Sequence, residues 1–307
     1  MSFMNDDVVE KIANAVLYEG YMLYPYRHSA VKNRQRFNFG VLYPLQHCQL
    51  QTGSDNWQMQ TECLLIGNAA TPIEVKVRFL QLVARQGAQE DRQDFQEAVE
   101  QAVCLGASSL LSMETKPVLQ GFRFEGIEGE LELRALRLDD RCFKISLVIR
   151  NLTDVANALQ MHRDEILLRS LVSVHSILHA ADGKFISSID PPEQYRAAVS
   201  ECRNIGAWPV LAGGEGQCDT VLSAPIILYD YPQIAPESAG DLFDGTEIDE
   251  ILALRILTMT DSEKLEVRNG DDRARQILER TEMLPPEHFQ KLHGALRGLR
   301  TNSEESR

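Results

Sequence analysis

No stretch of this chain approaches the roughly 20 consecutive apolar residues that a membrane-spanning helix needs. No two cysteines stand in C-x-x-C spacing. The six that occur, Cys48, Cys63, Cys104, Cys142, Cys202 and Cys218, are scattered, which fits reduced, mostly buried thiols better than a disulfide framework. Positive charge is scarce: 31 lysines and arginines face 45 acids, for a net charge of −14. Attraction to phosphate needs a basic face, so a general nucleic-acid-binding surface is excluded, and anionic membrane surfaces are disfavoured. The first ten residues hold Asp6, Asp7 and Glu10 where a secretion signal would carry lysines and an apolar run, so the expected location is the cytoplasm. Phosphate-loop, dinucleotide-binding and G-x-S-x-G signatures are all missing. A dispersed cysteine protease stays open by spacing alone, but each cysteine reads better as a small buried hydrophobe.

What remains is an ordinary globular composition, 44% hydrophobic and 25% charged over 307 residues, long enough for a sizeable core. Val8, Val9, Ile12, Ala15 and Val16 recur at helical spacing behind Asn5. Phe37, Phe39 and Val41 alternate as in a strand, and 61–66 reads as another, followed by a turn over 68–72. Ile73, Val75, Val77 and Phe79 point one way while Glu74, Lys76 and Arg78 point the other, the mark of a half-buried strand. Residues 91–105 read as a helix with Phe95, Val99, Ala102 and Val103 on one face and Gly106 as its stop. Strands are expected over 118–124, 129–138 and 142–150. Asp139-Asp140-Arg141 turns between the last two, and a bulge falls at Ala135 and Leu136. A helix over 154–168 and strands over 172–179 and 185–189 follow, the two strands joined as a hairpin through Asp182-Gly183. A helix over 192–203, a turn at Gly213-Gly214 and a strand over 221–229 complete this part.

From Pro232 the character changes. Pro232, Pro236 and Gly240 mark a linker, and four helical patches follow. Thr246 caps the first, and Thr260 with Glu263 forms a capping box for the second. Ala274, Ile277 and Leu278 mark the third, and Pro285-Pro286 opens the fourth. The expected fold is α+β: a β-sandwich-like core domain with an N-terminal helix over 1–231, a C-terminal helical subdomain over 232–300 and a flexible tail over 301–307.

Candidate chemistry is thin. His175 and His179 are four apart, but the intervening residues lack the glutamate of H-E-x-x-H. The segment reads as a strand, so the pair is at best a weak metal candidate, and a structural role is preferred. The triplet Gly213, Gly214 and Gly216 reads as a turn rather than a phosphate cradle. Arg27, Lys32, Arg34 and Arg36 form a basic strip behind Tyr18, Tyr21, Tyr24 and Tyr26. Arginine and tyrosine are enriched at binding hot spots, although such side chains also tie a segment onto its own core. Asp241, Asp244 and Glu247 belong to an acidic run without a base, as is common before and within the first turn of a helix. The run is a second candidate partner surface, with the basic strip as its complement in the same chain or on a second copy, which would make a homodimer.

Two stretches, VLYEGYMLYPYRHSAVKNRQRFNFGVLYP over 16–44 and SAPIILYDYPQIAPESAGDLFDGTEIDEILALRILTMTD over 223–261, resemble an uncharacterised bacterial family encoded among [NiFe]-hydrogenase structural and maturation genes. The resemblance spans most of the chain. It implies a non-catalytic accessory or assembly factor that acts by contact with a hydrogenase subunit or maturation protein. It supplies no catalytic residue and no cofactor. The alternatives are a metal-handling protein or enzyme with a dispersed site, and a ligand-binding β-sandwich.

Overall fold

The structure, a computed structural model, describes residues 7–18, 39–50, 53, 55–85, 95–158, 160–233, 259–268, 275–276, 278–279 and 282–283. They fall into two units, 7–18 with 39–233 and 259–283.

In the larger unit the order is α1 (Asp7–Tyr18), α2 (Leu45–Leu50), β1 (Gln58–Ile66), β2 (Pro72–Arg85), β3 (Phe95–Ser109), α3 (Leu110–Thr115), β4 (Val118–Phe124), β5 (Ile127–Arg137) and β6 (Cys142–Asn151). Then come α4 (Arg163–Leu167), β7 (Val172–His179), β8 (Lys184–Phe185), α5 (Arg196–Ser200), β9 (Trp208–Leu211) and β10 (Thr220–Ala224). The strands form two antiparallel five-stranded sheets, β4-β5-β6-β1-β8 and β3-β2-β7-β10-β9. The expected α+β fold with a sheet-rich core is what the chain adopts.

Alternation puts one face of each sheet into a shared core. Ile73, Val75, Val77 and Phe79 of β2 meet Leu131 and Leu133 of β5 and Ile145, Leu147 and Ile149 of β6. Phe79, Phe122 and Phe124 cross between the sheets with ring centroids 5.7 to 6.0 Å apart, a spacing that adds to plain burial. Polar contacts also cross between the sheets, among them Thr61 Oγ1 to Ser223 Oγ at 2.6 Å. The outer face of the first sheet carries charge instead. Arg150 reaches Glu130 at 3.1 Å and Glu132 at 2.7 Å. Burial would raise the Glu132 carboxyl, but hydrogen bonds from Arg150 and Arg134 outweigh it and hold the group below the usual range. At one corner α5 covers Leu64, Cys142 and Ile186.

Helix α1 covers the outer face of the second sheet. Its Val9, Ile12, Ala13 and Val16 pack on Ile177, Val210, Leu222 and Ala224. Its Glu10 and Asn14 reach sideways: Lys76 donates to Glu10 at 2.5 Å and Arg78 donates to Asn14 at 2.6 Å.

Four expectations are corrected. Of the helix expected over 91–105, the described residues 95–105 are strand; β3 begins at Phe95 and pairs with β2 from Arg85↔Phe95 to Pro72↔Ser109. Its Gln, Glu and Ala content favours a helix locally, but a long alternating partner overrides propensity. Gly106, taken as a helix stop, falls where the register slips by one residue between Ile73 and Val75. No bulge occurs at Ala135 and Leu136, because the register runs unbroken from Gly129↔Asn151 to Arg137↔Phe143; Leu136 is simply exposed on the charged face. The Asp182-Gly183 turn makes no hairpin. It carries the chain from β7 in one sheet to β8 in the other, and a Cβ on Gly183 would stand 2.9 Å from Leu65 Cδ1. The helix expected over 154–168 is confined to Arg163–Leu167. Its start is fixed where the Glu165 carboxylate accepts from the His162 N–H at 2.9 Å.

The strands expected over 185–189 and 221–229 are shortened to Lys184–Phe185 and Thr220–Ala224, and the helix expected over 192–203 to Arg196–Ser200 behind a 3-10 turn. Several other expectations agree. The helix expected behind Asn5 is α1, β2 has the alternation read for it, and Asp139 Oδ1 accepts from the N–H groups of Arg141 and Cys142 at the β5–β6 turn. In the smaller unit, α6 (Asp261–Arg268) opens with the expected capping box, Thr260 N–H to Glu263 at 2.9 Å and Glu263 N–H to Thr260 Oγ1 at 3.3 Å. Glu282 accepts from Lys264 and Arg268, which hold its carboxyl below the usual range. Among the described residues no helix is long and apolar enough to cross a membrane.

Gly129 gives a test of the core. A Cβ there would stand 2.2 Å from Phe122 Cζ and 2.7 Å from the Arg150 carbonyl oxygen, one of them backbone. Gly129→Ala should lower stability by about 1–3 kcal/mol, as overpacking does, measured by urea unfolding. A change within about 0.5 kcal/mol, the usual range for benign surface sites, would contradict the packing.

Candidate functional site

A bulge sets up one end of the sandwich. Arg78 pairs with His175 and Leu80 with Val172, so β7 carries one extra residue. Ser173 sits in that bulge with φ of 54°, in the left-handed region that few non-glycine residues adopt. The N–H groups of Ser173 and Val174 thereby bond the carbonyls of Phe39 and Gly40. Leu42 exchanges hydrogen bonds with Leu171 at 2.8 and 3.1 Å, and Tyr43 N–H reaches Asn56 O at 2.9 Å. The stretch 39–43, which turns at Gly40 with φ of +58°, is thus pinned beside the bulge. Asn151, fully buried at the end of β6, completes the fixation: its Nδ2 donates to Leu42 O at 2.8 Å and Arg169 O at 2.9 Å, and its Oδ1 accepts from Thr153 N–H at 3.0 Å.

Between this stretch and the start of β9 lies a cleft of about 420 Å³. Tyr43, Met59, Arg163, Gly206, Trp208 and Pro225 are among its lining residues, with Asp55 at one side. The Tyr43 side chain is buried and accepts a hydrogen bond from Arg163 at 2.9 Å, and the guanidinium carbon stands 6.0 Å from the ring centroid. The His47 ring packs against Tyr43 at 5.1 Å, and its Nε2 lies 3.3 Å from Asp55 Oδ2. Arg163 opens α4, so the cap at His162 fixes where the guanidinium starts. Trp208 is 44% exposed.

The cleft is better built to hold than to react. Burial raises the Tyr43 phenol, with Asp55 adding to this and Arg163 opposing it. Burial and Asp55 push the neighbouring Cys48 thiol up to about 11. Both groups keep their protons near neutral pH, so neither is an activated nucleophile.

All six cysteines are free thiols; Cys63 and Cys142 are buried, and Cys104 is exposed. His175 and His179 lie on β7, where alternation places both on the face toward α1. His175 Nδ1 lies 3.1 Å from Ser173 O, while its buried Nε2 has no hydrogen-bond partner. His179 Nδ1 lies 3.0 Å from Thr220 Oγ1. Among the described residues no three His, Cys, Asp or Glu side chains gather closely enough to hold a metal ion. Tyr24, Tyr26, Arg27, Lys32, Arg34, Arg36, Asp241, Asp244 and Glu247 lie outside the described residues. Sequence reasoning missed Tyr43, Arg163 and Trp208 as a group. No local spacing links them; only the bulge, the cap and the start of β9 bring them together. No known protein-family model matches the chain, and no curated protein matches it.

His175 gives a pH test. Burial and the nearby Arg78 guanidinium push its imidazole down to about 3, against the smaller upward effect of the Ser173 carbonyl. The unfolded chain takes up this proton near pH 6.5 and the folded chain does not. The stabilisation is therefore complete above about pH 6.5 and is lost as pH falls toward 3, by up to about 1.4 kcal/mol per unit. Between pH 6.5 and 5, unfolding free energies should fall less steeply for His175→Gln than for the wild type. Equal slopes would mean that His175 is not held neutral.

Proposed function

We propose that this protein is a non-catalytic, cytoplasmic accessory or assembly factor for a [NiFe] hydrogenase, working by contact with a hydrogenase subunit or maturation protein. The resemblance over 16–44 and 223–261 supplies the hydrogenase context. The observation that carries the contact role is the cleft with its Tyr43, Arg163 and Trp208 lining. Tyrosine, arginine and tryptophan dominate binding hot spots, and a partly exposed tryptophan beside a positioned guanidinium is a ready anchor. The same cleft also favours a second reading, a ligand-binding β-sandwich, because its volume lies within the roughly 300–1,000 Å³ range of small-molecule sites. In the accessory reading, the acidic run at Asp241, Asp244 and Glu247 steers the partner, and the basic strip Arg27 to Arg36 is the run's complement within the same chain or on a second copy.

Two measurements decide this. A strain lacking the protein should show reduced hydrogenase activity or metal loading; normal values of both would rule out the accessory role. Reversing charge at Asp241, Asp244 and Glu247 should weaken partner binding while leaving folding intact, since exposed pairs contribute about 0–1 kcal/mol each. It should also flatten the salt dependence, because steering between exposed charges is screened. Matching salt series for the wild type and the reversed variant would exclude the steering role.

A further inference from the structure

We infer that the cleft beside Tyr43 takes a carboxylate from an apolar peptide segment of a partner protein. The inference rests on the contact role proposed above and adds the chemistry of recognition. The cation comes first. In this acidic chain several arginines of the first sheet are engaged by glutamates: Arg123 by Glu128, Arg137 by Glu114 and Arg150 by Glu130 and Glu132. Among the described residues Arg163 meets no carboxylate within salt-bridge reach. Its partner is the neutral Tyr43 hydroxyl at 2.9 Å, which occupies one of five N–H donors. The hydrogen bond to the buried Tyr43 phenol orients the guanidinium, and the helix cap fixes the backbone from which it springs, so less freedom is lost when an anion arrives.

The anion carries a single charge. Asp55 lines the same cleft and opposes a doubly charged phosphate, whereas one carboxylate matches the planar guanidinium fork. The rest of the ligand is apolar, because Trp208, Met59 and Pro225 line the space beside Arg163. Gly206 leaves room there: a Cβ at this position would meet nothing within 4 Å.

Two further facts favour a protein segment over a free acid. Ile227 and Tyr229 follow the Pro225 wall and are 77% and 82% exposed, an apolar surface beyond the reach of a small ligand. The 39–43 wall already spends the backbone groups of Leu42 and the Tyr43 N–H on Leu171 and Asn56, so a peptide is read here through side chains rather than by adding a strand.

The test uses the full chain and a labelled library of octapeptides, each with one Glu flanked by Leu and Phe, beside the same peptides with Gln. Fluorescence polarisation should show at least one Glu peptide binding about tenfold or more tightly than its Gln twin, as a charge-assisted hydrogen bond allows. Arg163→Gln should erase that discrimination. Arg196→Gln removes the same charge from an exposed pair with Glu193 and should leave it. Gly206→Asn should weaken both peptides, since asparagine tolerates the φ of +68° and its side chain fills the open space. Unchanged urea midpoints establish that these variants fold. The inference is overturned if no peptide binds, if Glu and Gln peptides bind alike, if Arg163→Gln behaves as the wild type, or if phenylacetate displaces the peptide at equal concentration. A normal deletion strain removes hydrogenase as the partner and leaves the discrimination standing; lost discrimination removes the cleft inference and leaves the strain result standing.

Discussion

One buried amide holds the functional end of this molecule in shape. Asn151 is inaccessible to solvent and uses both amide hydrogens and its oxygen on three separate backbone groups. Leu42 O also accepts from Leu171 N–H, but the Arg169 carbonyl and the Thr153 N–H would each cost about 1–3 kcal/mol if buried without a partner. Leu42 precedes Tyr43, and Arg169 closes the turn that follows α4. The amide therefore ties the backbone just before Tyr43 to the turn that ends the helix bearing Arg163, and Tyr43 and Arg163 meet at 2.9 Å. No apolar residue of the same volume could hold those three groups at once.

The second sheet shows a different use of buried polarity. Its inner face is mostly apolar, while its outer face carries Lys76, Arg78 and His175 beneath α1. Glu10 and Asn14 of the helix answer the two cations, Lys76 and Arg78, and Glu100 of β3 reaches Arg78 at 3.3 Å. Breaking such a pair is costlier than the pair is stabilising, because it strands a buried charge. The network thus selects one seating of α1 on the sheet, while the packing of Val9, Ile12 and Val16 supplies the attraction. His175 fits this arrangement only as a neutral ring, since Arg78 beside it opposes a second positive charge.

The strands whose alternation is strict were legible in the sequence, and β2 is the clearest case, because a half-buried face writes itself as period two. Legibility failed where the deciding partner lies far away. Residues 95–109 hold Glu, Gln and Ala in a pattern that a helix also satisfies; only the length of β2 decides for a strand. Asp182-Gly183 was recognisable as a turn, but a turn does not state whether its strands share a sheet. The bulge that matters is at Ser173, where nothing in Val-Ser-Val announces a left-handed residue. The cleft was illegible for the same reason: Tyr43 ends an aromatic stretch, Arg163 opens a short helix and Trp208 starts an edge strand.

Placing a recognition site at the end of a sandwich has a physical logic. The faces of both sheets are committed, inward to the common core and outward to α1, α5 or the charged ladder of Glu130, Glu132 and Arg150. Strand ends alone leave backbone and side chains that are rigidly held yet accessible, which is where binding residues tend to gather. Here rigidity comes from the Asn151 amide and the β7 bulge, and accessibility from Gly206, whose missing side chain leaves the space open. A net charge of −14 repels anionic partners at long range, yet the field falls off within roughly 8 Å at physiological salt. Inside the cleft the nearest cation then governs what is accepted, so selectivity there is set by Arg163 and Asp55 and not by the charge of the whole chain.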